Sequence, residues 1–316
     1  MSRSNRFFCL STFLAMPSLF SCSSSTHHLS YVYAYGTTWE VHLYEGSKQD
    51  CDELVSYISS TSQVLDMEAS SCKDGIYVLN HAGEVKPNSF LKEAVELGLE
   101  VMDKASGAYS ITIGKLTSAW LTALEAGKTL EQSSIDSLLQ EARSTSLKVD
   151  AGKIVKQGTG DIDLGSLGKG LCLRGVKTML SDKGITKYLI NAGSSSLLLG
   201  RSPSGDGTVK ITLEDAQNRY FRYENGAIST TSNGRQRYEI GGQTYSHIID
   251  PRTGRAQTQD DALCLKGEDP ALLDALSTAY LVLGREHAAE LSQYHVEYAF
   301  MKGGEVRAQS DGFFAS

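Results

Sequence analysis

Two hydrophobic periods alternate along the chain and predict a mixture of strands and helices. Residues 31–44 alternate aromatic or β-branched side chains with small or polar ones, which predicts an opening strand interrupted at Gly36. Residues 52–66 and 87–104 repeat apolar side chains every three or four positions, which predicts two amphipathic helices. We expect both helices to be packing elements.

The same periods continue to the C-terminus. They predict helices over residues 133–142, 169–183 and 269–292, the first capped by serine and the last by aspartate followed by proline. They predict strands over residues 188–199, 209–213, 219–223 and 238–246, and hairpins at 149–154 and 303–304. Helices mixed with hairpins, without a regular βαβ repeat, predict an α+β fold.

The first 22 residues have the pattern of an export signal. Arg3 and Arg6 precede an apolar run over residues 7–20, which is too short for a comfortable membrane-spanning helix. Small residues then end at Cys22, and this ending resembles the lipobox of bacterial lipoproteins. We therefore expect a signal peptide over residues 1–21, a lipid on Cys22, and export to the periplasmic or exterior face of a bacterial membrane. An ordinary secretory signal with an incidental cysteine is the alternative.

Length and composition limit the rest of the chain. Residues 22–30 are mostly small or polar, which predicts a flexible tether, and residues 31–316 suffice for one large domain of two packed subdomains. Thirty Lys and Arg against 37 Asp and Glu give a formal charge of −7, which argues against nonspecific nucleic-acid binding. The four cysteines beyond Cys22 lack metal-binding spacing and allow one or two disulfides, which the sequence does not pair.

One polar run, over residues 246–255, carries candidate chemistry. His247 stands three residues before Asp250, and Pro251 and Gly254 impose a turn. This spacing predicts that an imidazole, a carboxylate, a hydroxyl and the guanidinium groups of Arg252 and Arg255 lie within a few ångströms, which suits anionic oxygen chemistry. The alternative is a local hydrogen-bonded turn.

A glycine-rich run over residues 161–170 is a second candidate. It is predicted to end a strand, turn, and open a helix whose N-terminus favours phosphate, with Lys169 supplying charge. It matches neither the Walker A motif nor the dinucleotide fingerprint. A tight corner without a ligand is the alternative.

The third candidate lies on the predicted C-terminal helix. Asp274 and Thr278 are four residues apart and share a helix face, with Ser277 beside them. A carboxylate and a hydroxyl suit a hard cation such as Mg²⁺, which prefers oxygen ligands. Alternatively, Asp274 serves the first helical turn and Thr278 packs.

Seven motifs in order resemble those of the ApbE-type FAD:protein FMN transferases, and they span nearly all of the predicted domain. They are Gly36-Thr37-Thr38, residues 106–114, residues 163–170, Asn191-Ala192-Gly193, Ile228-Ser229-Thr230, residues 247–254 and residues 274–278.

The resemblance implies where FAD and Mg²⁺ bind. FAD would lie in a cleft between two parts of the domain, with its pyrophosphate bridged by Mg²⁺. The metal would be held by Asp274, Thr278 and the main-chain carbonyl of Ser166, with Ser277 nearby. His247 would be the base. Flavin and nucleotide contacts would come from Tyr35, Ala108, Tyr109, Ser110, Asp163, Lys169 and Ile249.

The resemblance also implies the reaction and its partners. FMN would pass from FAD to a threonine or serine hydroxyl of an acceptor flavoprotein through a phosphoester bond, with release of AMP. The acceptor would be a subunit of a membrane redox complex, such as a sodium-pumping NADH:quinone reductase. Two alternatives stay open: a Mg²⁺-dependent FAD pyrophosphatase that yields FMN and AMP, and a lipoprotein that binds flavin without turnover.

Several positions depart from the family's pattern. Ser110 and Arg174 stand where aspartate is common, and Ser194 and Ser232 stand where glycine is common. An aromatic residue that often lines the flavin site upstream of Asn80 has no obvious counterpart. These departures leave His247, Lys169, Asp274 and Thr278 in place.

Overall fold

The computed structural model describes residues 27–150, 152–234, 236–259 and 261–314, apart from the side chain of Asp215. The predicted signal peptide, Cys22 and the tether up to residue 26 lie outside these residues. Residues 28–30, which we expected in the tether, belong to the first strand. No helix within the described ranges is long and apolar enough to cross a membrane.

An eight-stranded antiparallel sheet forms the centre of an α+β fold. Its order is β1-β2-β6-β7-β10-β15-β16-β17. The strands are β1 (His28–Ala34), β2 (Thr37–Leu43), β6 (Tyr188–Ala192), β7 (Ser196–Leu199), β10 (Gly226–Ser232), β15 (Asp261–Gly267), β16 (Glu297–Lys302) and β17 (Glu305–Gln309).

The remaining strands form small sheets around this centre. They are β3 (Glu84–Val85), β4 (Ser146–Asp150) and β5 (Lys153–Gln157) in one sheet, and the hairpins β8 (Val209–Leu213) with β9 (Arg219–Tyr223), β11 (Arg237–Ile240) with β12 (Gln243–Ser246), and β13 (Ile249–Asp250) with β14 (Arg255–Ala256).

Helices lie on one face of the large sheet and beside it. They are α1 (Lys48–Leu65), α2 (Ile76–Ala82), α3 (Ser89–Lys104), α4 (Gly114–Glu125), α5 (Gln132–Ser144), α6 (Gly165–Asp182) and α7 (Pro270–Leu283), followed by a 3₁₀ helix over Arg285–Tyr294. Helices α1, α3, α6 and α7 form the main apolar core with the sheet. The opposite face packs against the β8–β9 hairpin and Phe313.

A third apolar cluster lies apart from these two. It joins α4 and α5 to the short strands β11–β14 through residues such as Trp120, Ile135 and Ile249. The molecule therefore consists of a sheet-and-helix body and a smaller α4–α5 part, and the predicted cleft between two packed parts follows from this arrangement.

Local signals explain where the helices begin and end. Ser47 and Asp50 form a reciprocal capping box at the start of α1, and Asp269 caps α7 ahead of Pro270. Helix α7 ends at Gly284, whose φ of 101° stops the predicted helix over 269–292 nine residues early. The predicted serine cap of α5 was wrong, since Glu131 holds that position and makes no side-chain cap.

Most predicted elements are present with shifted ends. The predicted strands 31–44 and 188–199 are each two antiparallel strands, β1–β2 and β6–β7, because the chain reverses at Gly36 and Gly193. Helices α2 and α4 and strands β10 and β15 were not predicted from periodicity. Among the described residues no disulfide joins any two of Cys51, Cys72, Cys172 and Cys264.

Candidate active site

A cleft of about 480 Å³ separates the sheet-and-helix body from the α4–α5 part. Its volume falls in the range of small-molecule sites. It is lined by all eleven residues that the family resemblance assigned to a site: Tyr35, Ala108, Tyr109, Ser110, Asp163, Ser166, Lys169, His247, Ile249, Asp274 and Thr278. The structure thus brings together residues from segments spread over more than 240 positions. Their individual roles stay predictions.

Asp274 lies on the floor of the cleft and is 5% exposed. Its Oδ1 accepts hydrogen bonds from Ser196 Oγ at 2.7 Å and Ser229 Oγ at 2.8 Å, and its Oδ2 accepts one from Gly170 N at 2.8 Å. All three donors are neutral. Within the described ranges no lysine or arginine forms an ion pair with this carboxylate, so the protein orients the negative charge without neutralising it.

The contact between α6 and α7 requires glycine at position 170. A Cβ there would lie 2.2 Å from the Pro270 carbonyl oxygen and 2.7 Å from Asp274 Cβ. In a regular helix the amide of Gly170 points towards the Ser166 carbonyl, and here the same amide donates to Asp274 Oδ2. Close approach of the two helices therefore places the Asp274 carboxylate against the first turns of α6, beside Ser166.

Hydroxyl groups surround Asp274 on its other sides. Ser277 Oγ donates to the Asp274 carbonyl at 2.9 Å and lies 2.7 Å from Thr231 Oγ1. Ser277 is fully buried and does not line the cleft, so it contacts the backbone of Asp274 from the protein interior. Thr230 does line the cleft, and its buried Oγ1 has no hydrogen-bond partner. A buried polar atom without a partner is costly unless a ligand or water supplies one.

This donor set fits a hard cation. One buried carboxylate without a counter-charge, together with the Thr278 hydroxyl and the Ser166 carbonyl, offers the oxygen ligands that Mg²⁺ prefers. No cluster of three or more His, Cys, Asp or Glu side chains that could hold a metal occurs in the part of the chain that the structure describes. A cation at Asp274 would consequently complete its coordination with water and substrate oxygens.

The glycine-rich run forms a loop and not a strand end. Strand β5 ends at Gln157, and α6 begins at Gly165. Asn80 holds the loop by accepting from Ile162 N at 2.7 Å and donating to the Ile162 carbonyl at 2.9 Å. Lys156, whose side chain is almost buried, donates to the carbonyls of Asn80 and Gly160. The sequence analysis did not predict that Asn80 and Lys156 hold this loop, because hydrogen bonds to a loop distant in the sequence have no local sequence signal.

Asp163 and Lys169 lie at the N-terminal end of α6. Asp163 Oδ1 accepts from Gly165 N at 2.8 Å, and burial raises the pKa of this carboxyl against the lowering effect of the Gly165 amide and the Thr117 hydroxyl. Lys169 is the only lysine or arginine among the described lining residues, and none of the described carboxylates forms an ion pair with it. The site therefore offers one ammonium group and a helix N-terminus to an anionic ligand.

Two tyrosines shape the wall above α6. The Tyr109 hydroxyl accepts from Ser166 Oγ at 2.8 Å, and burial raises the pKa of this phenol well above its ordinary value. Tyr35 occupies the β1–β2 turn with a φ of 53°, and its ring packs so closely on α6 that a Cβ at Gly168 would lie 3.2 Å from it. Ser110 hydrogen-bonds to Thr112, which fixes its hydroxyl within its own turn.

His247 lies in the short link between β12 and β13. The backbone on both sides is held, since Ser246 N donates to the Gln257 carbonyl and Gln257 N donates to the Ile248 carbonyl, each at 2.8 Å. The imidazole is partly exposed and lines the cleft together with Ile248 and Ile249. This position agrees with a group that meets a substrate.

The carboxylate and guanidinium groups that the sequence predicted beside His247 make packing contacts elsewhere. Asp250 is buried and forms a two-point ion pair with Arg252, with Nη2–Oδ2 at 2.9 Å and Nε–Oδ1 at 3.0 Å. Arg252 also donates to the Val282 carbonyl of α7, and Arg255 hydrogen-bonds to Gln132 of α5. None of these three residues lines the cleft. The prediction that carboxylate and guanidinium groups join the imidazole in one site was wrong, since tertiary contacts engage them in packing.

Two departures from the family's pattern have a structural explanation. Arg174 forms a two-point ion pair with Asp269, the cap of α7, and reaches Glu93 of α3 with Nη1–Oε1 at 2.6 Å. It thereby fixes the start of the helix that carries Asp274. Ser194 has a φ of 62°, and its amide donates to Asn191 Oδ1 at 2.9 Å, which supports a turn that glycine would adopt without strain.

The comparisons with known proteins identify a family. A model of the ApbE family matches residues 35–301. The chain is 24% identical over 298 residues to the FAD:protein FMN transferase of Klebsiella pneumoniae, covering 85% of this chain and 83% of that protein. It is also 24% identical over 304 residues to the FAD:protein FMN transferase of Salmonella typhimurium, with 88% and 83% covered.

A solved structure shows the same fold. The ApbE protein of Thermotoga maritima superposes with a TM-score of 0.79 at 18% identity, covering 91% of this chain and 98% of that chain. At this identity the likeness concerns the fold.

Proposed function

The chain belongs to the ApbE family, and on that basis we propose that it is an FAD:protein FMN transferase. Relatives that carry this name match most of its length. The observation that carries the proposal is the joint position of Asp274, Lys169 and His247 on one cleft. A pure flavin-binding protein would have no need to align a carboxylate, an ammonium group and an imidazole.

We propose Asp274, Thr278 and the Ser166 carbonyl as the residues that hold Mg²⁺. Bound there, Mg²⁺ would offset the charge of the FAD pyrophosphate. The serine hydroxyls at Asp274 Oδ1 and the Gly170 amide at Oδ2 fix the direction of the carboxylate before any ligand arrives. Lys169 and the N-terminus of α6 bind the phosphate oxygens.

His247 acts as the general base in this proposal. Its imidazole takes the proton from a threonine or serine hydroxyl of the acceptor, and that oxygen forms a bond to the FMN-side phosphorus. The phosphorus–oxygen bond to the AMP half of FAD breaks, and AMP leaves with the electron pair. Water in place of the hydroxyl would give free FMN and AMP by the same steps.

Labelling of an acceptor protein tests the proposal. The purified chain is incubated with FAD, Mg²⁺ and a flavoprotein domain that has an acceptor threonine, and flavin fluorescence is read in a denaturing gel. We expect a fluorescent band that EDTA abolishes and that an acceptor with alanine at that threonine does not form. Free FMN without a labelled acceptor would identify a pyrophosphatase, and intact FAD after hours with Mg²⁺ would identify a binding protein.

The cell location and the partner are part of the same proposal. The apolar run over residues 7–20 and Cys22 support export and a lipid anchor, and a membrane redox subunit would be the acceptor. Radiolabelled palmitate should enter the full chain and should be lost in Cys22→Ser. If Cys22→Ser stays in the membrane fraction with unchanged label, the lipid anchor is wrong while the transferase activity is unaffected.

A further inference from the structure

The first strand carries an unusual concentration of exposed apolar side chains. Among the described residues five large hydrophobic side chains are exposed, and three of them are Leu29 (40%), Tyr31 (61%) and Tyr33 (74%) of β1. The other two, Leu121 and Tyr220, lie singly on α4 and β9. Single exposed apolar residues need no explanation, whereas a cluster marks an interaction surface.

The three side chains share one face of the sheet. They alternate along β1 with Ser30, Val32 and Ala34, and of these Ala34 belongs to the main core with α1 and Val32 packs against it. Opposite them in register on β2 lie His42, Glu40 and Thr38. The same sheet face is covered at its centre by the β8–β9 hairpin, but no described element covers it at the β1 edge.

Strand β1 follows closely in the sequence on the predicted signal peptide and Cys22, which lie outside the described residues. The apolar run over residues 7–20 and Cys22 precede it in the sequence, and Leu29 is the seventh residue after Cys22. A fully extended segment of that length spans at most about 25 Å. A lipid anchor on Cys22 would therefore keep the start of β1 within about that distance of the bilayer.

We propose that the outer face of β1 rests in the headgroup region of the membrane that anchors the protein. Tyrosine suits this region, because its ring enters the apolar boundary while its hydroxyl stays hydrated. The inference rests on the proposed membrane anchor and not on FMN transfer.

The charge of the surface identifies the kind of membrane contact. Residues 27–44 contain no lysine or arginine, and Glu40 is their only acidic residue. Apart from its three histidines the segment therefore has no cationic side chain to attract anionic lipid, and aromatic insertion into a zwitterionic interface is the mode that its composition favours. Binding by this face should be insensitive to salt.

The consequence concerns the cleft. Strand β1 leads directly into Tyr35 and Gly36, which line the cleft two and three residues after Tyr33. A β1 that lies on the bilayer holds this rim of the cleft close to the membrane surface. An acceptor loop that extends a short distance from a membrane complex could then enter it.

Depth-dependent quenching tests the proposal. Tyr33→Trp places an indole on the face, and Leu121→Trp and Tyr220→Trp are matched reporters at the other two exposed positions. The chain from residue 23 is tethered through an N-terminal hexahistidine to phosphatidylcholine vesicles that contain nickel-chelating lipid. Tethering makes the outcome independent of whether Cys22 carries lipid in the cell.

We expect the fluorescence emission of the Tyr33→Trp variant to shift to the blue on tethering. In vesicles of brominated lipid we expect the emission of the new indole to be quenched. The other two reporters should show neither effect. Adding Leu29→Ser and Tyr31→Ser to Tyr33→Trp should remove the shift, while turnover of soluble FAD stays unchanged because none of the three residues lines the cleft. High salt should leave the shift in place.

Four outcomes would overturn the proposal. They are an unchanged spectrum of the Tyr33→Trp variant on tethering, equal quenching at all three positions, a shift in solution that grows with protein concentration, and a shift that appears only when acceptor protein is added. The third would indicate a second copy of the chain on this face, and the fourth a docking site for the acceptor.

Discussion

Two buried aspartates, Asp250 and Asp274, belong to two of the candidate motifs in the sequence, and their carboxylates have opposite kinds of partner in the fold. They are 7% and 5% exposed, respectively. Asp250 faces the guanidinium of Arg252, two residues along the chain, and forms a two-point ion pair. Asp274 faces two serine hydroxyls and one backbone amide. The first carboxylate has a cation built into the chain, and the second has only neutral donors.

The difference indicates how the partners of a buried carboxylate distinguish a structural role from a metal-binding role. Removing a charge from water costs several kcal/mol in general, and a permanent counter-ion offsets part of this cost for a structural aspartate. An aspartate that is oriented by neutral donors lacks that compensation and is suited to bind a cation from solution. Asp274, and not Asp250, therefore belongs to the proposed chemistry, although the histidine of the site stands beside Asp250 in the sequence.

Asp274→Ala should show the largest effect on activity. Loss of the only carboxylate at the proposed metal position should lower FAD turnover by roughly 100-fold to 1000-fold, because charge on the pyrophosphate is no longer offset. Initial rates of AMP release over a Mg²⁺ titration measure this, with circular dichroism to verify folding. A variant that keeps normal turnover and a normal Mg²⁺ dependence would show that Asp274 is as structural as Asp250.

His247→Ala should show the next largest effect. A general base commonly contributes about 100-fold or more, so acceptor labelling should fall by roughly that factor. Mg²⁺ binding, measured by calorimetry with FAD present, should persist, since His247 is not a proposed ligand. His295→Ala, which lies outside the cleft, is the matched control. Near-normal transfer in His247→Ala would refute the assigned base.

Asp250→Asn should affect stability and leave chemistry in place. It leaves Arg252 without its carboxylate, and we expect the free energy of unfolding to fall by about 1–3 kcal/mol, discounted because the Arg252 side chain is 40% exposed. Urea denaturation measures the loss. Turnover per folded molecule should stay close to that of the unmodified chain, and a large drop would mean that Asp250 serves His247 after all.

Ser229→Ala should show the smallest effect of the series. Loss of one donor to Asp274 Oδ1 loosens the carboxylate, and removing a hydrogen bond to a metal ligand commonly weakens metal binding about 10-fold or more. Calorimetric Mg²⁺ affinity and the Mg²⁺ concentration for half-maximal turnover both report it. Ser292→Ala removes a hydroxyl that bonds to the Ala289 carbonyl away from the cleft, and its effect on affinity should be smaller. Equal effects would mean that the donors to Asp274 do not set its affinity.

Local signals were sufficient for much of the architecture. The aspartate cap of α7, the alternating strands and the glycine turns follow from short-range physics and were predicted close to their observed places, whereas the capping box that starts α1 before the predicted residue 52 was not predicted. Helix α4 escaped prediction because Gly114 opens it without a side-chain cap. Strands β10 and β15 escaped because central strands buried on both faces have no clear alternation.

The α+β class and the motif order followed from the amino-acid sequence, and the family resemblance of those motifs implied the eleven residues that meet on one cleft. Those features depend on patterns within a few residues, or on ordered motifs that survive in a single chain. The donors that hold Asp274, the need for glycine at position 170 and the pairing of Asp250 with Arg252 became visible in the folded chain. Such contacts join residues that are up to 104 positions apart, or choose among near neighbours, and their energies depend on distance and burial that no local pattern records.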